Sequence, residues 1–92
     1  MFYNSLPVLD LHGENREISR ILVNEFINDN LKLKNDKVVI IHGIGSGVIR
    51  KEVLETLKKN KNVLNYKTDF MNPGCTIVEL KSIYWQILTV VL

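Results

Sequence analysis

The feature that most limits how this chain can fold is the stretch VVIIHGIGSGVIR at residues 38–50. It begins with four uncharged β-branched residues, which is typical of a strand buried on both faces of a sheet. Three alternate glycines follow, Gly43, Gly45 and Gly47, and an amphipathic pattern begins behind them. Alternating glycines permit a tight turn and the close approach of another backbone or a phosphate. Because a helix N-terminus presents unpaired N–H groups, this order of strand, glycine loop and helix predicts an anion site.

The size and composition of the chain limit the class of protein. Ninety-two residues make one domain, and 46% hydrophobic with 24% charged residues is typical of a globular protein. The net charge of +2 is compatible with nucleic-acid binding but too small to indicate it. The sole cysteine, Cys75, cannot form an internal disulfide, which predicts a reducing, cytoplasmic location. The N-terminus lacks the features of a signal peptide and no apolar run approaches the roughly 20 residues of a membrane span, so no membrane association is expected.

The hydrophobic periodicity predicts six elements in the order β-α-β-α-β-β. The predicted strands are residues 7–12, 37–42, 63–70 and 75–81, and the predicted helices run from residue 16 to about 32 and from about 47 to 59. Asn15 is the expected N-cap of the first helix and Ser46 of the second, and residues 71–74, MNPG, predict a turn between the last two strands. A strand, a helix and a strand in succession form a right-handed parallel unit, and the final hairpin is antiparallel. The sequence therefore predicts an α+β fold, a two-layer sandwich with both helices on one face of a four-stranded mixed sheet.

A tail runs from Ser82 to Leu92 beyond the predicted domain of residues 1–81. It has the sequence SIYWQILTVVL and contains no charged residue. Its apolar residues recur at helical spacing, so two interpretations stay open. The tail packs on its own domain, or it is an exposed apolar segment that mediates self-association or docks on a partner.

The glycine loop fits several anions. It is not a P-loop, since Gly47 is followed by Val48 rather than by Lys and Ser or Thr. It is closer to a dinucleotide fingerprint, but Arg50 replaces the third glycine, so a small nucleotide-binding domain with Asp69 on the ribose is a second alternative. Cations near a helix N-terminus oppose its dipole unless an anion lies between them and the helix. The predicted phosphate-binding residues are Gly43, Gly45, Ser46, Gly47, Arg50 and Lys51.

Two strand ends carry a histidine followed by a glycine. Asp10 and His12 project from one side of the first predicted strand, and His42 ends the second. If the strands are neighbours, the three side chains gather at one edge of the sheet, where open α/β sheets place their sites. A histidine and a carboxylate can transfer protons in phosphodiester cleavage, and the same three side chains could instead bind a divalent metal, Mg or Mn. A single histidine at a strand end is more often a hydrogen-bonded structural residue.

Other features are weaker evidence. Basic residues lie around the end of the second predicted helix and on the third predicted strand, and they extend the cationic surface or are simply solvated. They are Lys58, Lys59, Lys61 and Lys67. Tyr66 and Phe70 alone do not make an aromatic platform for single strands.

These motifs resemble those of the Smr (small MutS-related) domain family. The resemblance covers residues 8–81 and rests on LDLHG at 9–13, HGIGSGVIR at 42–50 and TIVEL at 76–80. It implies a fold similar to the C-terminal domain of translation initiation factor three. It also implies a nicking endonuclease that tolerates varied DNA structures, with relatives that act on RNA or at ribosomes. In that family Asp10 and His12 would matter for cleavage, and residues 42–47 with Arg50 would hold the nucleic-acid backbone.

The sequence therefore favours a nucleic-acid-binding domain with endonuclease activity on DNA, in repair or recombination. Asp10 and His12 are the predicted catalytic pair, assisted by His42. The first alternative is a binding module for DNA, RNA or the ribosome without catalysis. The segment MNPGC at residues 71–75 is shorter and poorer in glycine than its counterpart in the family.

Overall fold

A computed structural model describes residues 6–81, in the predicted order of elements. The strands are β1 (Val8–Asp10), β2 (Lys37–Ile41), β3 (Val63–Asp69) and β4 (Asn72–Leu80), and the helices are α1 (Arg16–Lys32) and α2 (Val48–Lys59). The sheet has the order β1-β2-β4-β3, with β1 parallel to β2 and β4 antiparallel to both of its neighbours. This mixed sheet with two helices confirms the predicted fold class. The predicted roles of residues 82–92 lie outside the described residues.

The hydrophobic core lies between the two helices and one face of the sheet. Alternate residues of the two central strands meet apolar residues of α1 and α2 there, as the two-residue period of a strand requires. The buried cluster consists of Leu11, Val23, Ile27, Val38, Ile40, Val53, Leu57, Val78 and Leu80. Asn15 caps α1 as predicted, because its side-chain oxygen accepts a 2.8 Å hydrogen bond from the amide of Ile18. Within residues 6–81, neither helix combines the length and the hydropathy that a bilayer-spanning segment requires.

The first strand is shorter than predicted. It ends at Asp10 rather than at residue 12, because the Asp10 carboxylate accepts a 2.9 Å hydrogen bond from the backbone amide of His12. A side chain that bonds the backbone two residues later turns the chain out of the strand.

The turn between β3 and β4 also differs from the prediction. Phe70 and Met71 form it, and residues 72–74 belong to β4. Asp69 pairs with Asn72 while Thr68 pairs with Thr76, so residues 73–75 of β4 have no paired residues on β3. This irregularity is a bulge, and a bulge tolerates a proline and a glycine that a regular strand would not. Pro-Gly therefore marks the bulge rather than the turn.

The predicted cap of α2 is wrong by one residue. Gly47 occupies the N-cap position in the left-handed conformation, with φ of +83°. Ser46 lies one residue earlier, where its hydroxyl accepts a long, 3.4 Å hydrogen bond from the amide of Val48. Gly47 itself has no side chain, so the N-cap residue of α2 supplies no side-chain hydrogen bond to the helix amides.

Candidate functional site

The carboxyl ends of β1 and β2 lie side by side, as the sequence predicts. Asp10 pairs with Ile41, and the amide of Leu11 donates a 2.8 Å hydrogen bond to the carbonyl of Ile41. Neighbouring strands are about 4.8 Å apart, so the chain leaves the sheet at two adjacent points. His12 follows one of them and the glycine loop, residues 43–47, follows the other.

The predicted catalytic pair at the end of β1, Asp10 and His12, is exposed. Asp10 pairs with Ile41 on the face of the sheet away from the helices, and its carboxylate bonds the backbone of His12. Gly13 follows at a φ of +80°, which only glycine adopts without strain. The carboxylate and the glycine thus fix the turn that presents the His12 imidazole to solvent.

His42 has a different environment, since it is 8% exposed and both ring nitrogens have partners. Nδ1 lies 2.8 Å from the carbonyl oxygen of Gly43, and Nε2 lies 2.8 Å from the hydroxyl oxygen of Thr76. A carbonyl can only accept, so Nδ1 carries the proton and the Thr76 hydroxyl donates to Nε2. Burial lowers the pKa of His42 below its ordinary 6.5, the bond to Gly43 opposes this, and the charge of Arg50 lowers it further. His42 is therefore a neutral residue that joins the loop to β4.

The three predicted catalytic side chains do not converge on one point. Asp10 shares the outer face with Ile41, whereas His42, the next residue, bonds Thr76 on the face that carries the helices. Among residues 6–81, no group of three His, Cys, Asp or Glu side chains could hold a metal ion. The alternative of a Mg or Mn site on Asp10, His12 and His42 therefore finds no ligand set in the described part of the chain.

The glycine loop is open to solvent. Gly43, Ile44, Gly45 and Ser46 are exposed. A Cβ atom built at Gly43, Gly45 or Gly47 would meet no atom within 4 Å, so nothing in the protein covers the backbone of the loop. Gly43 and Gly47 have φ of +78° and +83° and require glycine for their conformation. Gly45 has an ordinary φ, so its conformation does not require glycine. Its lack of a side chain instead leaves the loop backbone accessible to a ligand.

The bulge of β4 supports this loop. The carbonyl of Gly74 accepts hydrogen bonds from the amides of His42 and Gly43, at 2.9 and 3.0 Å. A Cβ at Gly74 would lie 3.3 Å from the Cα of Gly43, closer than side chains usually approach. Gly74 is thus a site-supporting residue that the sequence analysis assigned to a turn. Its signal was a Pro-Gly pair directly before the predicted strand of residues 75–81.

Arg50 lies on the first turn of α2 and is exposed. Its Nη2 donates a 3.2 Å hydrogen bond to the hydroxyl of Thr68 on β3, a contact that the sequence analysis did not anticipate. Lys51 is exposed beside it, and the first turn of α2 contains no acidic residue. The start of α2 is therefore cationic, and it adjoins the open loop. This arrangement suits an anion such as a phosphate.

Asp69, which the nucleotide alternative placed on a ribose, has a structural contact. Its carboxylate accepts a 2.9 Å hydrogen bond from the amide of Met71 and so shapes the turn between β3 and β4. The third strand along the chain is also antiparallel to its neighbour, unlike the parallel sheet of a dinucleotide-binding fold.

The chain is similar to known proteins in sequence and in fold. Residues 9–81 match the family model described as Smr domain. Over 76 residues the chain is 43% identical to endonuclease MutS2 of Geobacillus sp. (strain WCH70) and 34% identical to endonuclease MutS2 of Alkaliphilus metalliredigens (strain QYMF). Each match covers 79% of this chain and 10% of the relative, so the chain spans about a tenth of these proteins.

Two solved structures have the same fold. The Smr domain of Thermus thermophilus MutS2 superposes with a TM-score of 0.80 at 23% identity, covering 82% of this chain and 98% of that one. YdaL, a stand-alone small MutS-related protein from Escherichia coli, superposes with a TM-score of 0.78 at 27% identity, covering 86% and 67%.

Proposed function

This chain belongs to the Smr domain family, and from that premise we propose that it binds nucleic acid where β1 and β2 end and nicks DNA there. The observation that carries the proposal is the adjacency of an exposed imidazole, His12, to an open glycine loop and the cationic start of α2. Relatives of 34–43% identity are named endonucleases, which supports the same chemistry.

The holding half of the proposed site is the glycine loop with the first turn of α2. Uncapped backbone amides at a helix start bind phosphate oxygens, and an arginine can bind two of them at once. In this proposal the loop binds one phosphate through its backbone, and Arg50 and Lys51 neutralise that phosphate or its neighbour. The hydrogen bond that Arg50 donates to the Thr68 hydroxyl limits the freedom of its guanidinium before the ligand arrives.

The reacting half is His12. In hydrolysis a water oxygen attacks phosphorus, the bond to one bridging oxygen breaks, a proton leaves the water, and a proton joins the departing oxygen. His12 is the group proposed to transfer one of these protons, because it is the exposed histidine of the pair at the strand ends. Asp10 is a positioning residue that holds the His12 backbone, and His42 assists through the loop that it joins to β4.

The test is nicking of supercoiled plasmid by the 92-residue chain. We expect His12→Gln to lower the nicking rate by about 10²- to 10⁴-fold, the usual contribution of a general acid or base. Its affinity for DNA should stay within about threefold of the wild type, since His12 lies outside the holding half. A His12→Gln protein that nicks at the wild-type rate would refute the catalytic assignment. Parallel assays with and without chelator decide whether a metal ion takes part.

One observation favours the alternative of a binding module without catalysis. Of the three predicted catalytic residues, His42 is sequestered and Asp10 bonds backbone, which leaves a single exposed imidazole. Binding needs only the holding half. If the wild type binds DNA or RNA with an affinity that falls steeply with salt, yet nicks neither, this alternative is correct.

A further inference from the structure

The turn between β3 and β4 exposes two large apolar side chains. Phe70 is 95% exposed and Met71 is 82% exposed, the highest values among the exposed large hydrophobic residues of the described chain. Tyr66, the aromatic residue earlier on β3, packs instead against the core. A single exposed apolar residue is ordinary, but an adjacent phenylalanine and methionine at a strand tip contribute nothing to folding by burial.

The turn itself does not require these residue types. A two-residue hairpin turn favours Asn, Asp and Gly, because the preferred turn geometries have positive φ. Neither Phe70 nor Met71 has a positive φ, and the Asp69 carboxylate holds the turn through the amide of Met71. Polar residues would satisfy the same backbone. The turn geometry therefore accepts many residue types and does not by itself explain a phenylalanine and a methionine at this exposed position.

The tip lies at the same end of the molecule as the proposed phosphate site. Phe70 is two residues beyond Thr68, which bonds Arg50, and Met71 is three residues before Gly74, which contacts Gly43. At about 3.3 Å per strand residue, the tip is within roughly 10 Å of these two contacts. Ile44 and Val48, at 68% and 47% exposed, add apolar surface beside the loop.

We propose that Phe70, with Met71 beside it, stacks on an unpaired base of a nucleic acid whose backbone lies on the glycine loop and Arg50. The proposal rests on the proposed function and deepens it by naming the preferred form of the ligand. A nucleobase is the favoured occupant because the tip is continuous with a cationic, phosphate-sized site, and base stacking on an aromatic ring does not depend on sequence. Duplexes hide the faces of their paired bases, so single strands and gaps are the preferred ligands.

Affinity for a single-stranded oligonucleotide tests the stacking. We expect Phe70→Ala to bind about 5- to 100-fold more weakly, since stacking contributes about 1–3 kcal/mol per base. Phe70→Tyr should restore most of the loss. Leu33→Ala is the matched control, because Leu33 is 70% exposed and lies at the C-terminus of α1, at the other end of the molecule. The Leu33→Ala protein should bind the oligonucleotide with the wild-type affinity.

Salt dependence separates stacking from charge. Phe70→Ala should leave the slope of log affinity against log salt unchanged, whereas Arg50→Gln should reduce it by about 1. The proposal also requires that Phe70→Ala lose more affinity for the single strand than for a blunt duplex. Equal losses for the two ligands would overturn it.

A fluorescence experiment reports the contact directly. The sole tryptophan is Trp85, so Trp85→Phe combined with Phe70→Trp places one fluorophore at the tip. Single-stranded oligonucleotide should quench it, and should not quench the matched protein with Leu33→Trp. Absence of quenching at position 70, under conditions where the oligonucleotide is bound, would overturn the proposal.

The outcomes distinguish this inference from the function on which it rests. If the wild type binds no nucleic acid, the proposed function fails. Suppose instead that the wild type binds nucleic acid and that Arg50→Gln weakens this binding. If Phe70→Ala then leaves the affinity unchanged, the stacking proposal alone fails. Loss of self-association in Phe70→Ala, with unchanged oligonucleotide affinity, would assign the tip to a protein contact and also overturn the proposal.

Discussion

At the scale of single residues, the two histidines illustrate how environment assigns different roles to the same side chain. Each follows a strand and precedes a glycine. His12 lies after an Asx turn and is exposed, whereas His42 is buried and bonds Gly43 and Thr76. A proton-transfer role requires access to a ligand, which His12 has. His42 instead fixes the start of the glycine loop, and its neutral form is the one that fits.

The lowered pKa of His42 predicts a pH-dependent stability. Below about pH 6.5 the unfolded chain protonates this histidine while the folded chain does not, so unfolding takes up a proton. The free energy of unfolding should therefore fall as the pH drops below 6.5, and this contribution should stop changing below the folded pKa. Urea denaturation at pH 7.5 and 5.5 measures the effect.

His42→Gln is the informative variant for this prediction. It should be less stable at pH 7.5 by about 1–3 kcal/mol, because the buried Thr76 hydroxyl loses a well-placed partner, yet it should lose less stability than the wild type on acidification. His12→Gln is the matched control and should retain the wild-type pH dependence. Identical pH dependence in His42→Gln and the wild type would contradict the assignment.

At the scale of elements, β4 determines the shape of the site although it contributes no proposed catalytic group. Its bulge places the Gly74 carbonyl where it accepts from two successive amides at the end of β2. The same bulge brings the backbone of Gly74 close to that of Gly43. The glycine loop is thus held at its base by a neighbouring strand and is open along the rest of its length.

The conformation of the glycine loop predicts that two similar substitutions lower the free energy of unfolding by different amounts. Gly43→Ala should lower the free energy of unfolding by about 1–2 kcal/mol, since its φ of +78° is unfavourable for any residue with a Cβ. Gly45→Ala should change it by no more than about 0.5 kcal/mol, because its φ is ordinary and the added atom meets nothing within 4 Å. Urea denaturation compares the two, and equal costs would be inconsistent with this loop conformation.

At the scale of the whole molecule, the two faces of the sheet differ. The helices and the main core lie on one face. On the other, Val39 and Cys75 are 0% and 1% exposed although neither belongs to that core cluster. The central strands β2 and β4 are therefore buried on both faces at these two positions, which agrees with the unbroken run of β-branched residues in β2.

Because Cys75 is buried, the reactivity of its thiol reports on global unfolding of the protein. Its reaction with a thiol reagent should be at least about a thousandfold slower in the native protein than in urea, because access requires extensive unfolding. Leu33→Cys supplies a matched exposed thiol that should react at once. Rapid reaction of Cys75 in the native wild type would show that this face of the sheet is open.

Local patterns in the sequence determined most of the fold. The period of apolar residues predicted α1, the alternation and β-branched runs predicted the four strands with small errors in their bounds, and Asn15 predicted the cap of α1. The order of these elements was sufficient to predict the mixed sheet, because few strand topologies are compatible with a βαβ unit followed by a hairpin. The adjacency of His12 to the glycine loop followed from the parallel pairing of β1 and β2.

The tertiary structure decided what depends on residues far apart in the chain. Thr76 is 34 residues from His42, and only the pairing of β4 with β2 brings the two together and makes His42 a buried, neutral residue. The bulge that moves the β3–β4 turn to Phe70 and Met71 depends on which residues of β4 pair with β3. A residue's neighbours in sequence limit its backbone conformation, but the strands packed beside it determine which of its polar groups remain available for chemistry.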